Sequence, residues 1–186
     1  MNKSSIIHAE AEGSSSLSFP TSIGWLKVTA SKDCILQITS TKPGTDSEAL
    51  DWEDAGNSLP TRQLLRQAQA EILEYLDGTR TVFTFPVQLS GTPFQQAVYE
   101  AAMQVPYGKT ASYGELAKRA GKPKAARAVG TAMKNNPLIL VVPCHRIIQA
   151  NGRPGNYSGC SGPATKAFLL DLESRASLPF FEEEPL

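Results

Sequence analysis

Five consecutive apolar residues, Leu138-Ile139-Leu140-Val141-Val142, run directly into Pro143-Cys144-His145-Arg146. Such a run, preceded by the breaker Asn135-Asn136-Pro137, predicts a buried strand. It carries a thiol and an imidazole to the strand's end, where they can face the mouth of a site. The thiolate is the nucleophilic form of cysteine, and a base or cationic neighbour favours it. On an extended chain adjacent side chains point to opposite faces. Adjacency alone therefore does not make a catalytic pair, and the surrounding residues have to supply the context.

The chain has 186 residues, enough for one large domain or two small ones, and its 41% apolar fraction suffices for a core. Cys34, Cys144 and Cys160 are odd in number and lack metal-like spacing. They predict no disulfide framework and a reducing, intracellular compartment: cytoplasm, or nucleus in a eukaryote. No segment approaches the roughly 18 apolar residues of a membrane helix, so no membrane partner is expected. Residues 1–18 are polar and lack the apolar core of a signal peptide, which reads as a disordered lead-in. The formal net charge of zero hides an asymmetry. Residues 1–90 hold 7 basic and 11 acidic side chains, residues 91–175 hold 11 and 4, and residues 176–186 form an acidic tail. A basic half suits a polyanion, although a solvated face has the same composition.

Trp25-Leu26-Lys27-Val28-Thr29-Ala30 and Cys34-Ile35-Leu36-Gln37-Ile38-Thr39 predict a hairpin, and residues 42–58 a loop. Pro60 opens a helix whose apolar positions end at Asp77-Gly78, and residues 81–89 are extended. Thr92-Pro93 caps and opens a second helix. Two short helices follow, residues 112–120 and from Pro123-Lys124 to about Lys134, joined by a turn at Gly121; together they read as a helix-turn-helix. The second carries Arg127 among Ala126, Ala128 and Gly130, a smooth surface suited to close approach to a DNA groove. Residues 155–162 read as a flexible loop too polar for core, and residues 163–173 as a last helix.

Taken in order, Tyr107-Gly108, Ser112-Tyr113, Lys124-Ala125-Ala126-Arg127-Ala128-Val129-Gly130, Asn135-Asn136-Pro137, Pro143-Cys144-His145-Arg146, Gly155-Asn156-Tyr157-Ser158-Gly159 and Leu169-Leu170 with Glu173 resemble the O6-alkylguanine-DNA alkyltransferases, closely over residues 80–175. The resemblance implies an α/β (α+β) chain. A small ribonuclease-H-like domain would occupy residues 19–90, and a winged helix-turn-helix-like domain that binds DNA and accepts the alkyl group residues 91–175. It implies a monomer without cofactor that acts on double-stranded DNA containing O6-alkylguanine. Repair would be a suicide reaction, in which the alkyl group moves to the cysteine and stays there. Under this resemblance Cys144 is the acceptor, His145 and Glu173 relay its proton through water, and Tyr113 assists the leaving base. Asn136 would brace the turn, and Arg127 would fill the stack vacated by the flipped base. Lys124, Ala126, Ala128, Gly130, Lys134 and Ser112 would meet DNA, and Ile147, Tyr157, Ser158 and Gly159 would line the pocket.

Two departures stand out. Gly159-Cys160-Ser161-Gly162 is longer than the usual Gly-Gly stretch, and Cys160 is either bland or a second oxidisable thiol. The N-terminal zinc site of some relatives has no ligand set here, since the histidines are His8 and His145 and Cys34 is alone in its half; no metal is expected. Two other classes share parts of the pattern. A lesion-binding protein of the same fold would lack Cys144, and a cysteine hydrolase would leave the basic helix-turn-helix unexplained. The preferred alkyl adduct, and the choice between guanine and O4-alkylthymine, stay open.

Overall fold

The computed structural model describes residues 14–43, 59–155, 157 and 159–175. The expected loop at residues 44–58, the lead-in up to residue 13, the acidic tail, Asn156 and Ser158 lie outside them.

Alternation of apolar and polar residues builds the first layer. β1 (Ser15–Thr21), β2 (Gly24–Ala30) and β3 (Ile35–Thr41) form an antiparallel meander in that order. The register sets Phe19 opposite Leu26, Leu17 opposite Val28, and Val28 opposite Ile38, so these buried apolar side chains share one face. β1 corrects the reading of residues 15–18 as disordered. Their serines dominate the composition, yet Leu17 and Phe19 alternate and are buried. Helix α1 (Leu59–Leu76) covers the sheet with Leu64, Leu65, Ala68, Ile72, Tyr75 and Leu76, all buried at helical spacing.

The extended segment after α1 is tied back near its middle, to α1 and to β3. Thr84 donates its N–H to buried Glu71 on α1 at 2.7 Å, and its hydroxyl bonds the same carboxylate. Pro86 accepts from Ile35 N at 2.8 Å, at the edge of β3.

Helix α2 (Pro93–Met103) starts at a capping box of Thr92 and Gln95. Helix α3 (Tyr113–Arg119) has another, of Ser112 and Glu115. Helix α4 (Ala126–Lys134) begins two residues later than Lys124, because residues 122–125 form a hydrogen-bonded turn first. These three helices pack on one another. Strand β4 (Ala111–Ser112) pairs in parallel with β5 (Ile147–Ile148), and α5 (Pro163–Arg175) closes the chain. The architecture is mixed helix and sheet. Among the described residues no helix is long and apolar enough to cross a membrane.

The apolar run at residues 138–142 is not a strand. Only Leu138 bridges a strand, at Ile38, and the chain then turns back with Leu140 at φ 72°. Buried main-chain groups need partners: Val142 N donates to Leu138 O within the turn at 2.8 Å, Ile139 N to Ile38 O of β3 at 3.1 Å, and Leu138 N to the Asn136 side chain at 2.9 Å.

Candidate active site

Asn136 is buried and spends its amide three ways. Its Oδ1 accepts from Leu138 N at 2.9 Å, and its Nδ2 donates to Val142 O at 2.8 Å and to Cys144 Sγ at 3.3 Å. One side chain thus closes the apolar turn and holds the thiol at its exit. Cys144 begins a short 3-10 helix, Cys144–Arg146, rather than ending a strand. The tighter winding explains how one tripeptide can send Cys144 toward a pocket and both His145 and Arg146 toward Glu173.

That pocket has a volume of about 520 Å³. Cys144, Tyr113 and Tyr157 line it, with Gly130, Met133 and Lys134 contributed by α4 and Gln149 and Gly155 by the loop after β5. Gly155 has φ +72°, and a Cβ there would meet the Gln149 amide at 3.4 Å and the Tyr113 hydroxyl at 3.6 Å. Gly159 stands against the Tyr157 ring, where a Cβ would come within 2.8 Å. The supposedly flexible loop is thus half core, since Tyr157 and Gly159 are buried.

Behind the pocket, His145 Nε2 lies 2.6 Å from Glu173 Oε1, with both residues buried. Arg146 Nε donates to both carboxylate oxygens, at 3.1 and 2.9 Å, Gly108 N donates to Oε2 at 2.9 Å, and Tyr75 donates its hydroxyl to Oε1. Burial pushes Glu173 upward, but the hydrogen bonds and charges of His145 and Arg146 outweigh it and hold the carboxyl down at about 2. An ionised carboxylate only accepts, so the proton of His145 sits on Nε2. Nδ1 then carries the lone pair; it is buried and has no hydrogen-bond partner among the described residues. Burial also lowers the pKa of His145, overriding the pull of Glu173, so the resting imidazole is neutral and can act as a base.

Burial raises the Cys144 thiol, opposed by the Asn136 hydrogen bond and by the charge of Lys166. The resting form is the thiol, and ionisation has to be assisted. Lys166 was invisible in the sequence as anything but a solvated helix cation. It is fully buried on α5, donating to Ile147 O at 2.5 Å and lying 3.5 Å from Cys144 O. Burial brings its pKa down to about 8. Tyr113 and Tyr157 are pushed up by burial and by the Cys144 charge, so both stay protonated and able to donate.

The structure gathers Cys144, Tyr113, Tyr157, Gly130 and Lys134 on one pocket, with Asn136, His145 and Glu173 behind the thiol. Ile147 is not on the pocket wall. Its side chain is fully buried in β5, and its carbonyl, not its side chain, meets Lys166. Arg127, Ala128 and Lys124 are exposed and Ala126 is half-buried, on α4 and the turn before it. That exposure argues against core packing as the reason for this small-residue helix. Ser112 uses its oxygen to cap α3, accepting from Glu115 N at 3.2 Å. Cys160 is half-buried at φ 47°, with Gly24 packed close to it, and the described cysteines form no disulfide. Among the described residues no three His, Cys, Asp or Glu side chains cluster as metal ligands, and His8 lies outside them.

Residues 93–175 match the family model of the 6-O-methylguanine DNA methyltransferase DNA binding domain. The chain is 50% identical over 107 residues to the inducible methylated-DNA–protein-cysteine methyltransferase of Bacillus subtilis, an alignment that spans 59% of that protein and 58% of this chain. It is 37% identical over 155 residues to the constitutive enzyme of the same organism, covering 82% of this chain and 91% of that protein. In three dimensions it is similar to Mycobacterium tuberculosis OGT in complex with DNA, with a TM-score of 0.71, 32% identity, and 86% and 92% of the two chains covered. Likeness that extends over nearly the whole constitutive enzyme, and not just the cysteine segment, places this chain in the methylated-DNA–protein-cysteine methyltransferase family.

Proposed function

We propose that this protein repairs DNA by moving an alkyl group from guanine O6 onto Cys144. The observation that carries this reading is the buried thiol on the pocket wall, held by Asn136 and backed by a neutral imidazole whose proton faces a carboxylate. Displacement at an alkyl carbon needs a soft thiolate. His145 Nδ1 receives the thiol proton, directly or through water, and the Glu173 carboxylate, held in place by Arg146, stabilises the resulting imidazolium. As the S–C bond forms, the C–O6 bond breaks. Tyr113 donates a hydrogen bond to the departing guanine. Lys166, next to the thiol, favours the thiolate during that step. The product is a thioether, which does not leave again, so each molecule reacts once.

The target base lies inside a duplex and has to rotate out into the pocket. We read α3 and α4, with the short β4–β5 pair, as a winged helix-turn-helix that presents Arg127, Lys124 and Lys134 to double-stranded DNA, with Ala126, Ala128, Gly130 and Ser112 at the same surface. The three-stranded sheet and α1 correspond to the ribonuclease-H-like part. Tyr157 lines the pocket, and Gly159 leaves room for its ring.

Intact-mass measurement after incubation with a duplex containing O6-methylguanine tests the proposal. The expected result is a gain of one methyl group on Cys144, at no more than one per chain, and none in Cys144→Ser. Binding without mass gain would make the protein a lesion binder, and several demethylated guanines per chain would make it a turnover enzyme.

A further inference from the structure

Glu173 has more donors than a relay to one histidine requires. Arg146 reaches both oxygens, Gly108 donates to Oε2, and His145 takes Oε1. A further close contact on Oε1 is the hydroxyl of Tyr75, from α1, 98 positions away in the chain. The same hydroxyl oxygen lies 3.2 Å from His145 Nε2. Its ring is fully buried and fixed by neighbours: edge-on to Tyr107 with centroids 5.8 Å apart, and against Phe83 at 5.0 Å. A phenol that only filled the core would need a single partner for its hydroxyl. This one is aimed at the imidazole–carboxylate contact itself.

We propose that Tyr75 is a positioning residue for the transfer: its hydroxyl fixes the Glu173 carboxylate that keeps the His145 proton on Nε2 and leaves Nδ1 bare. The inference rests on Cys144 being the alkyl acceptor. A donor to a carboxylate favours its ionised form. With Tyr75 present, the His145–Glu173 pair resists an extra proton. The other groups facing the pair are Arg146 from the 3-10 helix, Lys166 from α5, and Tyr107 and Cys144 nearby. Arg146 and Lys166 also oppose protonation of the imidazole. They remain when the Tyr75 hydroxyl is removed, and its contact with Glu173 Oε1 is shorter than its 3.2 Å contact with His145 Nε2, so loss of the donor to the carboxylate decides the sign. The pair takes up a proton more readily, and its pKa rises.

The test compares wild type with Tyr75→Phe in single-turnover alkylation by O6-benzylguanine, followed by intact mass from about pH 5 to about pH 9. Tyr75→Phe should react about tenfold more slowly at its plateau, or about 1.4 kcal/mol. The acid limb of its rate profile should move up by about half a pH unit or more. Its affinity for O6-benzylguanine should not change. Ile72→Val, buried on the same helix, controls for packing: it should lower Tm and leave the limb in place. A Tyr75→Phe profile that superimposes on wild type, or the same shift in Ile72→Val, overturns the assignment. Should Tyr75→Phe not fold, the wild-type NMR spectrum decides. A slowly exchanging Tyr75 hydroxyl proton near the His145 ring is expected, and its absence overturns the assignment. If wild-type Cys144 gains no benzyl group, it is the transfer reading that fails.

Discussion

Single residues set the chemistry here by what they hold out of water. Glu173 is 1% exposed and held at about 2, below the ordinary 4.5 of its carboxyl. Its folded pKa is depressed, so its contribution to stability is complete above about pH 4.5 and is lost as the pH falls toward about 2, on the order of 3 kcal/mol in all. His145 is also lowered, by burial, from 6.5. The unfolded chain therefore binds that proton first, and the native state weakens as the pH falls below about 6.5. Both effects have the same sign. Tm should decline steadily as the buffer is taken from neutral to about pH 4, in a scan at fixed ionic strength. A flat Tm over that range would mean that the pair is not buried as described. Cys144 and His145 stand out in the sequence because the Pro143-Cys144-His145-Arg146 motif and the segments around it are local patterns. The parts played by Lys166 and Tyr75 do not, because what makes them unusual is burial against residues far away in the chain, and nothing local marks it.

At the level of elements, local signals served where local physics decides. The hairpin, the stop at Asp77-Gly78, and the Thr92-Pro93 start of α2 all depend on caps, turns and alternation within a few residues, and the structure has them. The run at residues 138–142 failed for the opposite reason. Five apolar residues suit a buried strand or a buried turn equally, and the choice falls to hydrogen bonds from Asn136 and β3. The same dependence makes the turn fragile. Asn136→Ala removes the partner of Leu138 N, leaving that buried main-chain donor unsatisfied at about 1–3 kcal/mol, while Val142 O keeps the N–H of Cys144 at 2.8 Å. The thiol loses its donor as well. We expect a fall in unfolding free energy of about 1–3 kcal/mol in urea, together with slower alkylation of Cys144. Unchanged stability would show that the turn finds other partners.

Across the whole molecule, the charge asymmetry resolves into a face. Lys118, Arg119, Lys122, Lys124, Arg127 and Lys134 are all exposed on or around α3 and α4, and Gly130 and Lys134 of α4 also border the pocket that holds Cys144. Arg127 is exposed, three residues before Gly130 on the same helix, and does not line the pocket. That placement separates binding a base from extracting one. Rotating a paired base out of the stack costs a few kcal/mol, and a side chain that enters the gap offsets part of it. A free base has no stack to leave. Arg127→Ala should therefore slow repair of O6-methylguanine in duplex DNA by roughly ten- to a thousandfold while leaving reaction with free O6-benzylguanine nearly unchanged, each factor of ten being about 1.4 kcal/mol. Single-turnover rates on the two substrates, measured side by side, decide it. Equal slowing on both would place Arg127 in support of the pocket, and extrusion would then have to be driven from elsewhere on the basic face.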